Sequence, residues 1–314
     1  MKAVFSYLIK FFFSKILNFF LEKINFIIIY RQGKAIGEHV MLTGIINQIN
    51  LRKKKNIIIF TSYNEFFINN PKITKSFNLS LNSYFWFFLR VLKGKSILEF
   101  CSERIVHDSD KHFLFYHTNK KIHLAKAHSE HFPYEIDNYK IKNEIFFTNK
   151  EVEKFDKKFS FGENFALIQS TSKKTFTSNK EWSFDGMQSI VNHFHNFHWI
   201  QIGTTYEPLL KNVEYYLDLD FRAVAYLISK SKFLVSYEGL FSHIASCFNK
   251  KTFLIHAGFL PTEASYYSNN IIIQKNKELE CYPCYLLNCK SHKAFCEKYL
   301  TTDFVINEIE KNIN

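Results

Sequence analysis

Glycine is scarce in this sequence, with 9 residues in 314. Because glycine destabilises regular secondary structure, it is most useful where the backbone needs a positive φ or approaches a ligand closely. Gly33, Gly37, Gly203 and Gly239 all fall in short segments that follow apolar runs of strand length. In open α/β sheets such segments lie at the carboxyl edge, where ligands bind. The scarcity therefore makes these four positions informative.

The sequence also lacks a long uncharged apolar run. The most apolar stretch, residues 1–29, is interrupted by Lys2, Lys10, Lys15, Glu22 and Lys23. A membrane-spanning helix needs about 20 nearly uncharged residues, and a secretory signal needs a small-residue cleavage site. We therefore expect neither kind of segment.

Residues 1–24 have instead the pattern of an amphipathic helix. Polar side chains recur at helical intervals, at Lys10, Ser14, Lys15, Asn18, Glu22 and Asn25. Phe, Leu and Ile fill most of the remaining positions and give the helix a very wide apolar face. Such a face is typical of a helix that lies in a membrane interface. The alternative is a helix packed on the protein's own core.

The net charge of +12 is concentrated in residues 1–155. A basic first half suggests an anionic partner, such as a phosphorylated glycolipid, a membrane surface or a nucleic acid. The alternative is a solvated basic surface. Because the sequence contains no recognised nucleic-acid-binding motif, we expect no nucleic-acid partner.

The length suits two domains, and no internal repeat or low-complexity linker is present. In the first half, the predicted strands are 25–30, 56–61, 96–100 and 112–116, and the predicted helices are 40–51 and 64–92. In the second half, the predicted strands are 164–169, 198–202, 232–236, 252–256 and 270–274, and the predicted helices are 184–196, 208–217, 221–231 and 242–249. Short apolar strands separated by helices predict parallel sheets covered on both faces. We predict an α/β fold of two doubly wound, Rossmann-like domains that face a central cleft, with a boundary near residue 155.

The segment after the first predicted strand contains a candidate catalytic residue, Glu38. A carboxylate at the carboxyl edge of a sheet can accept a proton from an attacking hydroxyl group, if it lies within hydrogen-bonding distance. The alternative is that Glu38 only stabilises the helix start, where acidic residues are favoured.

Two loops in the second half carry candidate donor-binding residues. Thr171, Ser172 and Lys180 lie between a predicted strand and a helix, where hydroxyls, backbone amides and lysines can form a phosphate site. Glu207 follows the next strand and could bind ribose hydroxyls. The alternative for these residues is an ordinary solvated loop and helix start.

A third loop in the second half joins a carboxylate, a glycine and a histidine. Glu238 can accept hydrogen bonds from sugar hydroxyls, and Gly239 allows a ligand to approach the backbone closely. His243 begins the next predicted helix, although a single histidine is more often structural.

Taken together, these loops resemble those of glycosyltransferase family 9, the ADP-heptose:lipopolysaccharide heptosyltransferases. The family's first loop has Gly-Asp-Val followed by a Thr and a Pro, and its Lys-x-Trp-Pro motif comes later. The matching residues are Gly37, Glu38 and Thr43, with Gly44 for the Pro, and Lys180-Glu181-Trp182, with Ser183 for the Pro.

The remaining family motifs follow in the same order along the chain. A Gly followed four residues later by Glu is matched by Gly203 and Glu207, and the Asp-Ser-Gly-x-x-His motif with its Glu-Gly-Gly variants is matched by Glu238 through His243, with Ala245. The family's C-x2-C-x4-C-x6-C pattern is matched by Cys281, Cys284, Cys289 and Cys296. The resemblance covers about residues 25–312.

The resemblance implies a GT-B fold and an inverting transfer that requires no metal or other cofactor. The donor would be a nucleotide sugar, most often ADP-heptose, and the acceptor the anionic core of lipopolysaccharide or lipooligosaccharide. The implied roles are a general base for Glu38, diphosphate binding for Lys180 with Thr171 and Ser172, ribose binding for Glu207, and a sugar and phosphate pocket formed by Glu238, Gly239 and His243.

The sequence pattern and the resemblance together predict a domain plan. From its pattern, residues 1–24 would form a membrane-associating helix, in a segment longer than is usual for the family. The resemblance makes 25–155 an acceptor-binding domain and 156–314 a nucleotide-sugar-binding domain with the Cys cluster. The protein would be cytoplasmic and peripheral on the cytoplasmic face of the inner membrane.

Two departures from the family pattern leave alternatives open. Glu replaces the expected Asp at positions 38 and 238, and a carboxylate displaced by about 1 Å can lose orders of magnitude in rate. These changes support one alternative, a degenerate, non-catalytic GT-B protein. A separate alternative is a sugar-nucleotide epimerase or hydrolase on the same fold. The four cysteines could hold a structural metal ion through thiolates or simply pack together.

Overall fold

The computed structural model describes most of the chain, and its described part forms two compact units. It describes residues 2–52, 54–101, 122–159, 162, 164–172, 177–286, 289 and 299–313, without the side chains of 2–9, 178 and 276. The first unit holds the described residues before 102 together with Leu124–Phe147. The second unit holds residues 122–123 and those from Thr148 onwards.

The first unit contains one sheet of four parallel strands. Its strands are β1 (Phe26–Arg31), β2 (Asn56–Thr61), β3 (Lys75–Asn78) and β4 (Ile97–Glu99). Its helices are α1 (Lys2–Lys23), α2 (Ile36–Arg52), α3 (Phe85–Val91) and α4 (Leu124–Ser129). The strand order is β3-β2-β1-β4, and all three pairings are parallel. The order therefore reverses between β1 and β4.

The apolar runs of β1 and β2 form the centre of this sheet. Ile27 pairs in register with Ile57, and Ile29 with Ile59. Each of these side chains is at most 1% exposed, as expected for a parallel sheet covered on both faces. The buried sheet fixes the positions of the segments that leave the carboxyl ends of β1 and β4.

The second unit contains one sheet of six parallel strands. Its strands are β5 (Phe165–Ile168), β6 (His198–Gly203), β7 (Glu214–Leu217), β8 (Leu234–Ser236), β9 (Thr252–Ile255) and β10 (Asn270–Ile273). Its helices are α5 (Asn149–Lys158), α6 (Phe184–His193), α7 (Phe221–Lys230), α8 (Leu240–Cys247) and α9 (Thr302–Asn312). The strand order is β10-β9-β8-β5-β6-β7, so the order reverses between β5 and β8.

The predicted doubly wound α/β class is confirmed, but two predicted helices are wrong. The segment 64–92 contains the strand β3 as well as the short helix α3, and 208–217 ends in the strand β7. Gly37 lies inside the first turn of α2 rather than in a loop. The predicted strand at 112–116 lies outside the described residues.

The amino-terminal helix has a different orientation from the one that its polar spacing suggests. Ser14 and Asn18 are 8% and 7% exposed, and they face the first unit rather than solvent. Leu17 and Leu21 pack beside Trp86 and Leu89. Within the described residues, no helix is both long and apolar enough to cross a membrane.

Candidate functional site

The point of strand-order reversal in the second unit carries a buried ion pair. Lys180 ends a short turn in the connection that follows β5, and Glu238 follows β8 directly. Lys180 Nζ lies 2.5 Å from Glu238 Oε2. Because β5 and β8 are adjacent at the reversal, their carboxyl-end connections leave in opposite directions and create the crevice in which α/β sheets bind ligands.

The two partners of this pair are unequally exposed. The Lys180 side chain is 18% exposed and that of Glu238 only 8%. Burial by itself raises the pKa of Glu238, but the Lys180 ammonium and then His243 outweigh it, so the pKa lies below its usual value. Glu238 is therefore ionised at neutral pH, and the ammonium is the more accessible charge.

A small pocket opens beside this ion pair. Its lining includes Lys180, Glu238, His256, Gly258 and Phe259. The Lys180 ammonium lies 5.4 Å from the centroid of the Phe259 ring. Burial lowers the pKa of His256 to about 4, so this imidazole is neutral at pH 7. Lys180 thus supplies the positive charge of the pocket.

The connection that carries Lys180 is anchored on both sides. Trp182 Nε1 donates a hydrogen bond of 2.5 Å to the Leu300 carbonyl oxygen. Ser183 Oγ accepts a hydrogen bond from the Gly186 amide and caps α6, as expected of an N-cap serine. The serine that replaces the family's proline thus still starts the helix after the lysine.

Thr171 and Ser172 are both buried. Glu181 Oε1 accepts hydrogen bonds from the Ser172 amide at 2.9 Å and from its hydroxyl at 3.2 Å. These hydrogen bonds join Ser172, at the start of the segment between β5 and α6, to the residue that follows Lys180. Ser172 is therefore placed to hold the loop in shape.

Glu207 folds back onto the strand that precedes it. Its Oε1 accepts a hydrogen bond of 3.1 Å from the Thr204 amide. Gly203 has a φ of +155°, and a Cβ atom there would lie 2.6 Å from Glu207 Oε2. Burial raises the pKa of Glu207, although hydrogen bonds from Thr204 oppose the rise. The Gly-x-x-x-Glu spacing thus has a steric cause.

Gly239 and His243 have different environments. Gly239 has a φ of 156° and a ψ of −155°, a conformation that is essentially restricted to glycine. His243 is 2% exposed, and its Nδ1 lies 3.0 Å from Tyr267 Oη. The structure therefore places Gly239 at the turn after β8 and His243 in the core behind it, near enough to influence Glu238.

The first unit also has an ion pair at its strand-order reversal. Arg31 is the last residue of β1, and Glu38 lies in the first turn of α2. Arg31 Nη2 donates to Glu38 Oε2, and His128 Nε2 lies 3.5 Å from the same oxygen. The Arg31 side chain is 9% exposed and that of Glu38 is 23% exposed. Here the carboxylate is the more accessible charge.

Two buried histidines support this pair. His39 Nδ1 lies 2.7 Å from Thr61 Oγ1, and its Nε2 lies 3.3 Å from the Gly33 carbonyl oxygen. Burial lowers the pKa of His39 to about 4, with a further contribution from Arg31. Burial likewise lowers the pKa of His128 to about 4. Both imidazoles are therefore neutral at pH 7 and leave the charge to the ion pair.

Sequence reasoning missed Arg31, His39, His128 and His256 as members of the two sites. A charged residue that ends a buried apolar run was the available signal for Arg31. The two sites assembled around Glu38 and around Lys180 with Glu238 each belong to one unit, and Glu207 occupies a separate loop of the second unit.

The predicted cysteine cluster finds no support among the described residues. Cys281 is exposed, and Cys284 and Cys289 are partly buried. In the described part of the chain, no group of three or more His, Cys, Asp or Glu side chains could hold a metal ion. Cys296 lies outside that part. The predicted metal site at the four cysteines therefore stays a prediction.

Comparisons with known proteins identify the fold. The sequence matches no protein-family profile and no curated protein. The structure is similar to a glycosyl transferase family 9 protein from Veillonella parvula, with a TM-score of 0.65, 11% identity, and coverage of 91% of this chain and 96% of the other.

Two Escherichia coli structures give similar matches. ADP-heptose LPS heptosyltransferase II has a TM-score of 0.62 and 9% identity, and the match covers 91% of this chain and 98% of that chain. Heptosyltransferase WaaC with ADP-2-deoxy-2-fluoro heptose has a TM-score of 0.55 and 10% identity, with coverage of 91% and 99%. At the level of the fold, the predicted resemblance to glycosyltransferase family 9 and the predicted GT-B class are confirmed.

Proposed function

We propose that this protein is an inverting glycosyltransferase that moves a sugar from a nucleoside diphosphate to a hydroxyl acceptor. The observation that carries the proposal is the Lys180–Glu238 pair at the reversal between β5 and β8. A partly exposed ammonium at such a crevice is suited to a diphosphate. The likeness of the fold to glycosyltransferase structures supports the same conclusion.

The second unit binds the donor in this proposal. Lys180 neutralises the negative charge that develops on the diphosphate as it leaves, and this interaction strengthens in the transition state. Glu207 accepts hydrogen bonds from the ribose hydroxyls, and Glu238 accepts them from the transferred sugar. Gly239 lets the donor approach the backbone. The donor is ADP-heptose or a related nucleotide sugar, by analogy with the ligand in the WaaC structure.

Glu38 is the proton acceptor in this proposal. Its carboxylate is held by Arg31 and is the more exposed member of that pair, and a carboxylate within hydrogen-bonding distance of a hydroxyl can take its proton. The acceptor hydroxyl loses its proton to Glu38 as its oxygen bonds to the anomeric carbon. The bond from that carbon to the diphosphate oxygen breaks on the opposite face, so the configuration inverts and ADP leaves with the electron pair.

The acceptor in this proposal is the core of lipopolysaccharide or lipooligosaccharide on the cytoplasmic face of the inner membrane. The concentration of positive charge in residues 1–155 supports an anionic acceptor. The exposed apolar side chains of α1 support peripheral attachment to a membrane surface.

Calorimetry of ADP, UDP and GDP binding tests the donor proposal. We expect the full-length protein to prefer ADP, and Glu207→Gln to weaken ADP binding about tenfold because it replaces a charged acceptor by a neutral one. Glu214→Gln is the matched control, since Glu214 lies on the edge strand β7 and pairs with His198 of β6. A well-folded protein that binds none of the three nucleotides would contradict the proposal.

A further inference from the structure

The helix α1 is attached to the first unit through its polar side chains. Ser14 Oγ donates a hydrogen bond of 3.1 Å to the Leu92 carbonyl oxygen. Asn18 Oδ1 accepts hydrogen bonds from the amides of Ser96, at 2.7 Å, and Ile97, at 3.1 Å. These polar groups therefore face the protein, whereas in most surface helices the polar side chains face solvent.

The opposite face of α1 is consequently apolar and exposed. Its large side chains are between 50% and 68% exposed, at Phe11, Phe12, Phe13, Ile16, Phe19 and Phe20. Soluble proteins seldom expose a continuous apolar surface of this kind unless it binds a partner.

The short helix α3 extends this surface. Trp86 and Leu89 are buried and attach α3 to the unit, whereas Phe85, Phe87 and Phe88 are 42%, 57% and 57% exposed. The two helices are neighbours, because Leu17 and Leu21 of α1 pack beside the buried side of α3. The Lys10 ammonium also lies 5.6 Å from the centroid of the Phe87 ring. We call the exposed side chains of α1 and α3 the aromatic surface.

Lysine side chains lie over the rings of the aromatic surface. Lys15 Nζ lies 4.5 Å from the centroid of Phe11, and Lys23 Nζ lies 5.4 Å from that of Phe19. These cation–π contacts place ammonium groups directly beside the exposed rings. An apolar surface that carries ammonium groups is complementary to acyl chains beneath anionic headgroups.

We propose that α1 and α3 together form one docking surface for a bilayer that contains anionic phospholipid. The proposal deepens the membrane attachment proposed above by assigning part of it to α3 and by making α1 a fixed part of the first unit. The rings enter the headgroup and acyl boundary, and the ammonium groups pair with lipid phosphates.

Vesicle co-sedimentation of the full-length protein tests the docking surface. The vesicles contain phosphatidylcholine alone or with phosphatidylglycerol. With anionic vesicles, we expect Phe87→Ser/Phe88→Ser to lower the partition coefficient about tenfold or more, because two rings that enter the bilayer are lost. We expect a similar loss for Phe12→Ser/Phe19→Ser. Tyr139→Ser is the control, since Tyr139 is 85% exposed outside this surface.

Three results would overturn the proposal. Wild-type binding by the α3 variant would leave α1 as the whole membrane contact. Equal binding to vesicles with and without phosphatidylglycerol would remove the role of the lysines. A dimer that both variants dissociate, without vesicle binding, would identify a second copy of the chain as the occupant. ADP affinity measured on the same variants should not change, so failure of the surface and failure of the donor site are separable.

Discussion

The two units place an ion pair at the same point of their sheets but expose opposite charges. In the first unit, Arg31 is 9% exposed and its partner Glu38 is 23% exposed. In the second unit, Lys180 is 18% exposed and its partner Glu238 is 8% exposed. One topology thus presents an accessible carboxylate in the first unit and an accessible ammonium in the second.

Which charge of each ion pair is the more exposed depends on which of the two residues lies at the end of a strand. Arg31 ends β1, and Glu238 lies just beyond β8, so each is held against the buried sheet. Glu38 and Lys180 come from a helix start and a loop, which project further from the sheet. The charge at the strand end is therefore the fixed partner, and the opposite charge is available for chemistry.

Replacing the accessible carboxylate of the first unit should have the largest effect. We expect Glu38→Gln to lower kcat by about 10²–10⁴-fold, because the amide cannot accept the acceptor's proton. ADP affinity should stay unchanged, since donor binding is assigned to the second unit. Steady-state transfer kinetics and calorimetry measure both quantities. Glu135→Gln, an exposed change in the same unit, is the control, and wild-type kcat in Glu38→Gln would remove the proton-acceptor role.

Acid should destabilise both units through their buried histidines. The pKa values of His39 and His128 in the first unit, and of His256 in the second, are lowered to about 4 from 6.5. A lower pKa in the folded state means that the unfolded chain binds the proton more readily. Stability is therefore full above pH 6.5 and falls as the pH drops towards 4. At pH 5 each of these histidines lowers the free energy of unfolding by about 2 kcal/mol.

Urea unfolding at pH 7.5 and pH 5 measures the loss in each unit. Trp86 reports on the first unit, and Trp182 and Trp199 report on the second, so Trp86→Phe isolates the signal of the second unit. We expect both units to lose unfolding free energy at pH 5. His39→Gln should remove part of the pH dependence of the first unit only. An unchanged unfolding free energy at pH 5 would contradict the assignment of neutral buried histidines.

Removing the accessible ammonium of the second unit should weaken nucleotide binding and also destabilise the unit. We expect Lys180→Met to lower ADP affinity about 10–100-fold, because a charge-assisted contact to the diphosphate is lost. The substitution should also lower the free energy of unfolding of the second unit by about 3 kcal/mol, because Glu238 is left buried and unpaired.

A second substitution separates these two effects. Lys180→Met/Glu238→Gln should recover stability, since no buried charge is left unpaired, but ADP binding should stay weak. Lys211→Met, an exposed lysine of the same unit, is the control for lost charge. Recovery of ADP affinity in the double variant would show that Lys180 acts on Glu238 and not on the nucleotide.

The apolar strands could be predicted from the sequence, whereas two polar edge strands could not. β1, β2 and β9 are largely apolar, because central parallel strands are buried on both faces. The edge strands β4 and β10 are also largely apolar and fall within predicted strands. By contrast, the edge strands β3 and β7 were missed. Their side chains are partly or fully exposed, so they carry no apolar run. This is why segments 64–92 and 208–217 were predicted as helices.

The sequence indicated those candidate site residues that follow closely after a strand in the chain. Glu38, Lys180, Glu207 and Glu238 each follow a recognisable strand at a fixed spacing. His128 joins Glu38 from a helix about 90 residues further along the chain, and no local pattern marks such a long-range contact. Its role depends on tertiary packing.

The helices that precede the first strand of each unit give the last comparison. In the second unit, α5 turns Phe155 inwards and pairs Glu151 with Arg222 of α7. In the first unit, α1 turns Ser14 and Asn18 inwards and its phenylalanines outwards. Helix α1 is thus held by buried hydrogen bonds as well as by Leu17 and Leu21, and its attachment should depend in part on single polar atoms.

Asn18→Ala tests that dependence. The substitution removes the acceptor of the Ser96 and Ile97 amides, and buried unpaired donors cost about 1–3 kcal/mol. We expect the first unit to lose about 2 kcal/mol in urea unfolding, although alanine favours a helix more than asparagine does. Glu22→Ala, an exposed change on the same helix, is the control. An unchanged first unit would show that α1 is held by its leucines alone, and the fixed orientation of its aromatic face would then lack its polar anchor.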